Sequence, residues 1–78
     1  MLSDEEWAKL GRRMRLTPRE TQVLKGVFAE QKNEVIAETL GIAPRTVRTH
    51  LERLYRKCGC QTRTGAVVSA FRVYALRS

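Results

Sequence analysis

Apolar residues recur along the chain at intervals of three and four residues, and no segment alternates regularly between apolar and polar positions. This spacing places side chains on one face of a helix, so the chain is predicted to be all-α. In the first segment Trp7, Leu10 and Met14 share a face, and Ser3 with Glu6 forms a capping-box pattern before them. A short amphipathic helix with a basic end is therefore predicted within residues 1–15.

A second helix is predicted from Pro18 to about Glu30. Thr17 suits the N-cap, Pro18 suits the first helical position, and Glu20 completes a capping box with Thr17. Four apolar residues then share one face: Val23, Leu24, Val27 and Phe28. This combination is a stronger start signal than that of the first helix.

Two further helices follow in the central part of the chain. Asn33 is expected to cap a third helix of about two turns. Gly41 ends that helix, because glycine readily adopts a left-handed backbone conformation. Pro44 is expected to open a fourth helix, which stops at Gly59.

The third and fourth helices carry the spacing of a helix-turn-helix motif. Ala37 is small where the two helices would approach, Gly41 lies four positions later in the turn, and Val47 lies six positions after that. Four apolar residues are expected to fill the wedge between the helices: Ile36, Leu40, Ile42 and Leu51. An ordinary corner between two helices is the alternative.

The fourth helix has a cationic face opposite its apolar one. At about 100° per residue, one stripe comprises Arg45, Arg48, Thr49, Glu52 and Arg56, opposite Val47, Leu51, Leu54 and Cys58. Arginine can pair bidentately with guanine, threonine can contact the thymine methyl group, and glutamate can accept from cytosine N4. The stripe is therefore suited to reading the major groove of DNA, with a solvated charged face as the alternative.

Charge supports the same partner class. The 78 residues include fifteen Lys and Arg against eight Asp and Glu, for a net charge of +7, and this length allows one domain. A strongly basic chain favours nucleic acid, and no segment has the basic, broadly apolar helix that a membrane surface would require. No apolar stretch approaches the ~20 residues of a membrane span, and the acidic N-terminus is unlike a signal peptide, so a cytoplasmic protein is expected.

The chain offers little for metal binding or catalysis. Cys58, Cys60 and His50 are its only cysteines and histidine, so a four-ligand zinc site would need distant carboxylates. We expect these three residues to be structural. No nucleophile–base pair, carboxylate pair or phosphate-binding loop is evident, so no enzyme activity, cofactor or small-molecule ligand is expected.

Several segments match one known pattern: Leu16-Thr17-Pro18-Arg19-Glu20, Ile36-Ala37, Leu40-Gly41-Ile42, Thr46-Val47-Arg48-Thr49-His50, Lys57, Arg63-Thr64 and Ala66-Val67. Together they resemble the LuxR-type DNA-binding domain, the family that includes LuxR, FixJ, NarL and GerE. The resemblance runs without gaps from Leu16 to about Phe71. It implies a four-helix, LuxR-type helix-turn-helix domain over residues 16–78, with residues 1–15 as an additional short N-terminal helix.

The resemblance also implies roles for individual residues. The third helix of that domain, about residues 44–58 here, would enter the major groove. By position, Arg48, Thr49 and Glu52 are implied to face the bases, while Lys32, Asn33 and Thr46 are implied to contact phosphates. Charge and geometry add four phosphate candidates: Arg45, Arg53, Arg56 and Lys57.

Thr62 is expected to cap a last helix from about Arg63 to Leu76. One stripe of this helix is expected to close the core: Ala66, Val67, Ala70, Phe71 and Tyr74. Apolar residues also lie on its other sides, and a second copy of the chain would cover them. Because the resemblance implies that this helix mediates dimer contact, a homodimer interface is expected at Val68, Val73 and Leu76.

Some positions depart from the family pattern. Glu30 stands where glycine usually ends the first family helix, and Gln31-Lys32 replaces a hydrophobic residue followed by serine. Ala43 replaces the usual Ser or Thr cap of the recognition helix. Val35 and Gly65 replace two commonly acidic residues. None of these departures affects the wedge or the base-facing residues.

The sequence thus predicts a sequence-specific regulator of transcription that binds double-stranded DNA as a homodimer. The family usually joins this domain to a phospho-acceptor or small-ligand domain, and none is recognisable here. The chain is therefore either a freestanding regulator or a piece of a longer one, and Met1 with the N-terminal helix favours the first. Two alternatives remain. One is a module similar to region 4 of a bacterial sigma factor, which would associate with RNA polymerase, and the other is a protein-interaction adaptor that uses the same fold.

Overall fold

The computed structural model describes residues 2–76, which form five α-helices and no strand. The helices are α1 (Asp4–Arg13), α2 (Pro18–Phe28), α3 (Asn33–Leu40), α4 (Pro44–Cys58) and α5 (Arg63–Leu76). The predicted all-α fold, with four helices and an additional N-terminal helix, is confirmed.

Two capping boxes begin the first two helices. Before α1, the Glu6 amide donates to the Ser3 hydroxyl at 3.2 Å and the Ser3 amide donates to the Glu6 carboxylate at 2.9 Å. Before α2, Thr17 and Glu20 form the same reciprocal pair at 3.1 and 3.0 Å. Each box satisfies backbone amides that have no partner within the helix. Both predicted helix starts are confirmed.

The predicted N-cap of α3, Asn33, is wrong by one residue. Lys32 occupies the N-cap position, and its side chain makes no capping hydrogen bond. The Asn33 side chain instead accepts a hydrogen bond at 2.6 Å from Nη2 of Arg63, at the start of α5. The amide oxygen of Asn33, which the local sequence pattern assigned to capping, thus binds Arg63, 30 positions later in the chain.

Four helices end in a residue with left-handed backbone: Arg15, Glu30, Gly41 and Gly59, with φ of 61°, 57°, 68° and 68°. In each case the next residue donates its amide to the carbonyl five positions earlier, as Gln31 does to Gly26 at 3.0 Å. This is the Schellman ending. The predicted glycine stops are confirmed, whereas α2 ends at Phe28 because Glu30 itself takes the left-handed position.

All five helices contribute to one core, and α1 is part of it. Trp7 and Leu10 of α1 are each 3% exposed, and the Trp7 ring packs edge-on against Phe28 at a centroid distance of 5.1 Å. Gly11 is also buried, and a Cβ there would collide with Thr21 of α2. Glycine lowers the helix propensity of α1, but it permits this close crossing of the two helices.

The last helix divides its apolar residues differently from the prediction. Ala66 and Ala70 are fully buried, and Val73 packs half-buried against the core. Phe71 is 67% exposed, so its predicted place in the core is wrong, and Val73 lies on the core side rather than on the outer side with Val68. Because α5 is apolar nearly all round, its sequence pattern does not identify the buried face.

Candidate nucleic-acid interface

The helix-turn-helix geometry depends on a wedge of buried apolar side chains between α3 and α4. Ile36 and Ala37 of α3 face Val47 of α4, and each of these residues is at most 3% exposed. Gly41 supplies the left-handed turn, after which the Ile42 amide donates to the Ala37 carbonyl at 3.0 Å. The predicted small residue, glycine and β-branched residue therefore occupy the positions expected of them, and the turn is fixed relative to both helices.

The opposite face of α4 is open to solvent. Its exposed side chains are Arg45, Arg48, Thr49, Glu52, Arg53 and Arg56, while Thr46 is half-buried. Within residues 2–76, none of these arginines takes part in an ion pair, although Glu52 lies one helical turn from both Arg48 and Arg56. The structure thus brings the predicted base-facing residues together on one uncovered, cationic surface.

Thr49 shows which part of its side chain is available to a ligand. Its hydroxyl donates to the Arg45 carbonyl at 3.1 Å, within the helix. Such a bond to the carbonyl four residues earlier occupies the hydroxyl hydrogen. The γ-methyl group and a hydroxyl lone pair are left for a partner.

Unlike these arginines, Lys57 forms an ion pair within the protein. Its Nζ lies 2.7 Å from Oε1 of Glu20, a carboxylate that is 2% exposed on α2. The same oxygen accepts the Thr17 amide. The ammonium group of Lys57 thus joins α4 to α2. It has three donors, so the phosphate contact of Lys57 stays a prediction beside this bond.

The electrostatics around Glu20 favour the ionised carboxylate. Burial raises the pKa of the Glu20 carboxyl, but the hydrogen bonds from Lys57 and Thr17, with the charges of Lys57 and His50, lower the pKa by more. The net pKa lies below the ordinary value. His50 itself is half-buried, and its Nδ1 is buried without a hydrogen-bond partner. The structural role expected for His50 stays a prediction.

Arg63, the first residue of α5, holds the loop before α3 in place. Arg63 donates through Nη1 to the Gln31 carbonyl at 2.6 Å and through Nη2 to Asn33. Lys32, between these two residues, is exposed. Arg63 is thus a positioning residue for two phosphate candidates. Sequence reasoning missed this role because nothing in the local pattern of α5 indicates its partner.

The C-terminal end of α4 carries Cys58 and contacts α5. The Ser69 hydroxyl donates to the Cys58 carbonyl at 3.3 Å and joins α4 to α5. Burial raises the pKa of the Cys58 thiol to about 11, with Cys60 adding to the effect, so this thiol is protonated at neutral pH. Both cysteines are free. Residues 2–76 contain no group of three or more side chains suited to holding a metal ion.

The buried wedge, the left-handed turn and the uncovered cationic helix define a helix-turn-helix DNA-binding domain. The family model described as "Bacterial regulatory proteins, luxR family" matches residues 14–70. The chain belongs to this family. The match excludes all of α1 and the last turns of α5. Among residues 2–76, no helix combines the length and apolar character needed to cross a membrane.

Similar proteins are named as transcriptional regulators. The chain is 46% identical over 56 residues to the uncharacterized transcriptional regulatory protein YxjL of Bacillus subtilis, which covers 72% of this chain and 26% of that protein. It is 44% identical over 57 residues to the probable transcriptional regulatory protein NarL of Mycobacterium tuberculosis, at 73% and 26% coverage. It is 40% identical over 70 residues to the HTH-type transcriptional regulator MalT of Klebsiella pneumoniae, at 90% and 8% coverage. The chain thus spans about a quarter of these relatives or less, and no solved structure matches it.

Proposed function

We propose that this chain binds a specific sequence of double-stranded DNA as a homodimer, with α4 in the major groove, and thereby regulates transcription. The observation that carries the proposal is the outer face of α4. This face presents four arginines that have no ion-pair partner among residues 2–76, while the other face anchors the helix through Val47, Leu51 and Leu54. The regulators named among its relatives support this function over catalysis.

Base reading is assigned to Arg48, Thr49 and Glu52, which lie on one exposed stripe of α4. A guanidinium group can pair with O6 and N7 of guanine, and a carboxylate can accept from N4 of cytosine. The Thr49 methyl group suits thymine, because the hydroxyl hydrogen is used within the helix. The Glu52 carboxylate would also repel a base that presents a hydrogen-bond acceptor to it, so duplexes with such a base at this position would bind less tightly.

Phosphate binding is assigned to residues on both sides of this stripe: Lys32, Asn33, Arg45, Thr46, Arg53 and Arg56. Lys32 and Asn33 lie at the start of α3, in a loop that Arg63 holds in place. These contacts set the register of α4 on the duplex without reading sequence. Lys57 stays a phosphate candidate, with one of its ammonium donors bonded to Glu20.

The dimer is assigned to the outer face of α5. Val68, Phe71 and Leu76 are 47%, 67% and 81% exposed. Large apolar side chains exposed on one helix are typical of a protein contact. Pairing two copies through α5 would place two recognition helices on successive turns of the duplex, about 34 Å apart.

Selection from random duplexes tests the proposal directly, and an enriched inverted repeat is the expected result. Arg48→Ala and Glu52→Ala should each relax the preference at particular base pairs by about 1 to 3 kcal/mol. Arg12→Ala, on α1, is the control of equal charge to Arg48→Ala and should preserve sequence preference. Failure to enrich any sequence would refute specific binding, and equal effects of Arg48→Ala and Arg12→Ala would refute the assigned reading face.

A further inference from the structure

A cationic groove lies beyond the C-terminal end of α4, where the ends of α1 and α4 meet α5. Its volume is about 440 Å³, and four cationic side chains line it: Arg13, Arg15, Lys57 and Arg72. No carboxylate belongs to its lining. This space is called the end groove below. Since Glu20 already neutralises Lys57, the three arginines are its uncommitted charges.

The concentration of charge in the end groove comes from three separate parts of the fold. Arg13 is the last residue of α1, Arg15 follows in the left-handed position with φ of 61°, and Arg72 is exposed on α5. Cations near the end of α1 are favoured by the helix dipole. That effect does not explain Arg72, which comes from the middle of another helix. The three arginines therefore make this concave space attractive to an anion.

The end groove lies at the C-terminal end of α4, the helix that carries the proposed DNA-binding face. Lys57 lines the groove, Arg56 directly precedes Lys57, and Arg53 lies one turn earlier on the same helix. At 1.5 Å per residue, the last turn of α4 lies about 12 Å along the helix from Arg48. Phosphates follow one another about every 3.4 Å along each DNA strand, so the backbone extends past the segment that α4 reads.

We propose that the end groove binds a backbone phosphate of the duplex, outside the contacts made by α4, through Arg13, Arg15 and Arg72. This inference rests on the proposed DNA binding. A guanidinium group pairs with phosphate through parallel N–H bonds, which suits three arginines around one concave space. Arg13 and Arg72 lie outside residues 14–70, so the contact adds to whatever the family domain provides.

The test is a double variant, Arg13→Gln with Arg72→Gln, compared with wild type across a salt series. Because the proposed dimer carries two end grooves, loss of one phosphate contact per protomer makes the slope of log affinity against log salt shallower by about 1.8. Over a fourfold rise in salt, the affinity of the variant should then fall about 12-fold less than that of wild type. The loss of affinity should be equal for all sequences, and it should disappear on a duplex trimmed to the selected site.

The matched control removes the same charge elsewhere on α1, with Lys9→Gln and Arg12→Gln. Arg12 lines the opposite groove, between α1 and α2. Ethylation of individual phosphates should show one interfering position beyond each half-site in wild type and in this control, absent in the end-groove variant. Equal salt slopes for the two double variants, or no extra interfering phosphate, would overturn the inference. The slope is also measured on a nonspecific duplex, so absence of sequence preference would refute the proposed function separately.

Discussion

The Glu20–Lys57 pair provides the sharpest test of how α4 is held. Lys57→Met keeps the aliphatic length of the side chain and removes its charge. It leaves a carboxylate that is 2% exposed, with one oxygen still bonded to the Thr17 amide, without its ion-pair partner. The variant should be destabilised because the desolvated charge of Glu20 is no longer compensated.

The structure places the size of this effect between two limits. Removing one partner of a fully buried pair costs about 3 to 5 kcal/mol, whereas a surface pair is worth about 0 to 1 kcal/mol. The Lys57 side chain is 35% exposed and that of Glu20 is 2% exposed, so we expect a loss of roughly 2 to 3 kcal/mol. In a domain of this length the melting temperature should fall by about 10 to 20 °C.

Thermal unfolding of a double-mutant cycle is the assay. Glu20→Gln retains an oxygen that can accept the Thr17 amide, so it removes the charge while preserving the capping box. The double variant should recover much of the stability lost in Lys57→Met, with a coupling energy of about 2 kcal/mol. Lys25→Met is the control, because it breaks an exposed pair with Asp4 at 3.1 Å. Equal melting of Lys57→Met and Lys25→Met would refute the reasoning.

Acidity provides an independent check on the same pair. Because folding lowers the pKa of the Glu20 carboxyl, its ionised form adds stability above the unfolded pKa. This contribution is lost as the pH falls below the ordinary value of 4.5 and through the lower pKa of the folded state. The difference in melting temperature between wild type and Lys57→Met should therefore be greatest near neutral pH and shrink in acid. A difference that stays constant with pH would contradict the assignment to charge.

Three other changes test local features of the fold and the dimer. Ala43→Ser should raise the free energy of unfolding by roughly 0.5 to 2 kcal/mol, because α4 has no side-chain cap; an unchanged melting temperature would contradict this. Glu30→Gly should add about 0.5 to 1 kcal/mol by relieving a left-handed φ of 57°, whereas Glu30→Ala should add nothing; equal unfolding curves for the two variants would rule this out. Val68→Glu should weaken self-association in sedimentation and cooperative binding to a full palindrome while leaving the fold intact, whereas Val73→Glu should destabilise folding. Cooperative binding by Val68→Glu would place the dimer on another surface.

Sequence reasoning identified interactions between residues close together in the chain and missed those between residues far apart. Thr17 with Glu20 and the stop at Gly41 act within a few residues, so local patterns identified them. The bond between Lys57 and Glu20 was missed because the two residues lie 37 positions apart, and no pattern within α4 indicates this partner. Phe71 and Val73 were exchanged between core and surface for a different reason. On a helix apolar nearly all round, only packing decides which residues are buried.

The distribution of charge indicates that the outer face of α4 contributes to binding rather than to stability. The described ion pairs lie on α1, α2 and the end of α4, and the buried carboxylate of Glu20 anchors the recognition helix from behind. Arg45 and Arg48 repel each other one turn apart, a local cost that pairing would reduce. Exposed carboxylates exist at Glu34 and Glu38 of α3, yet neither is paired with these arginines. The outer face of α4 therefore carries charges that no described carboxylate pairs with, and in the proposed complex the phosphates of the duplex would pair with them.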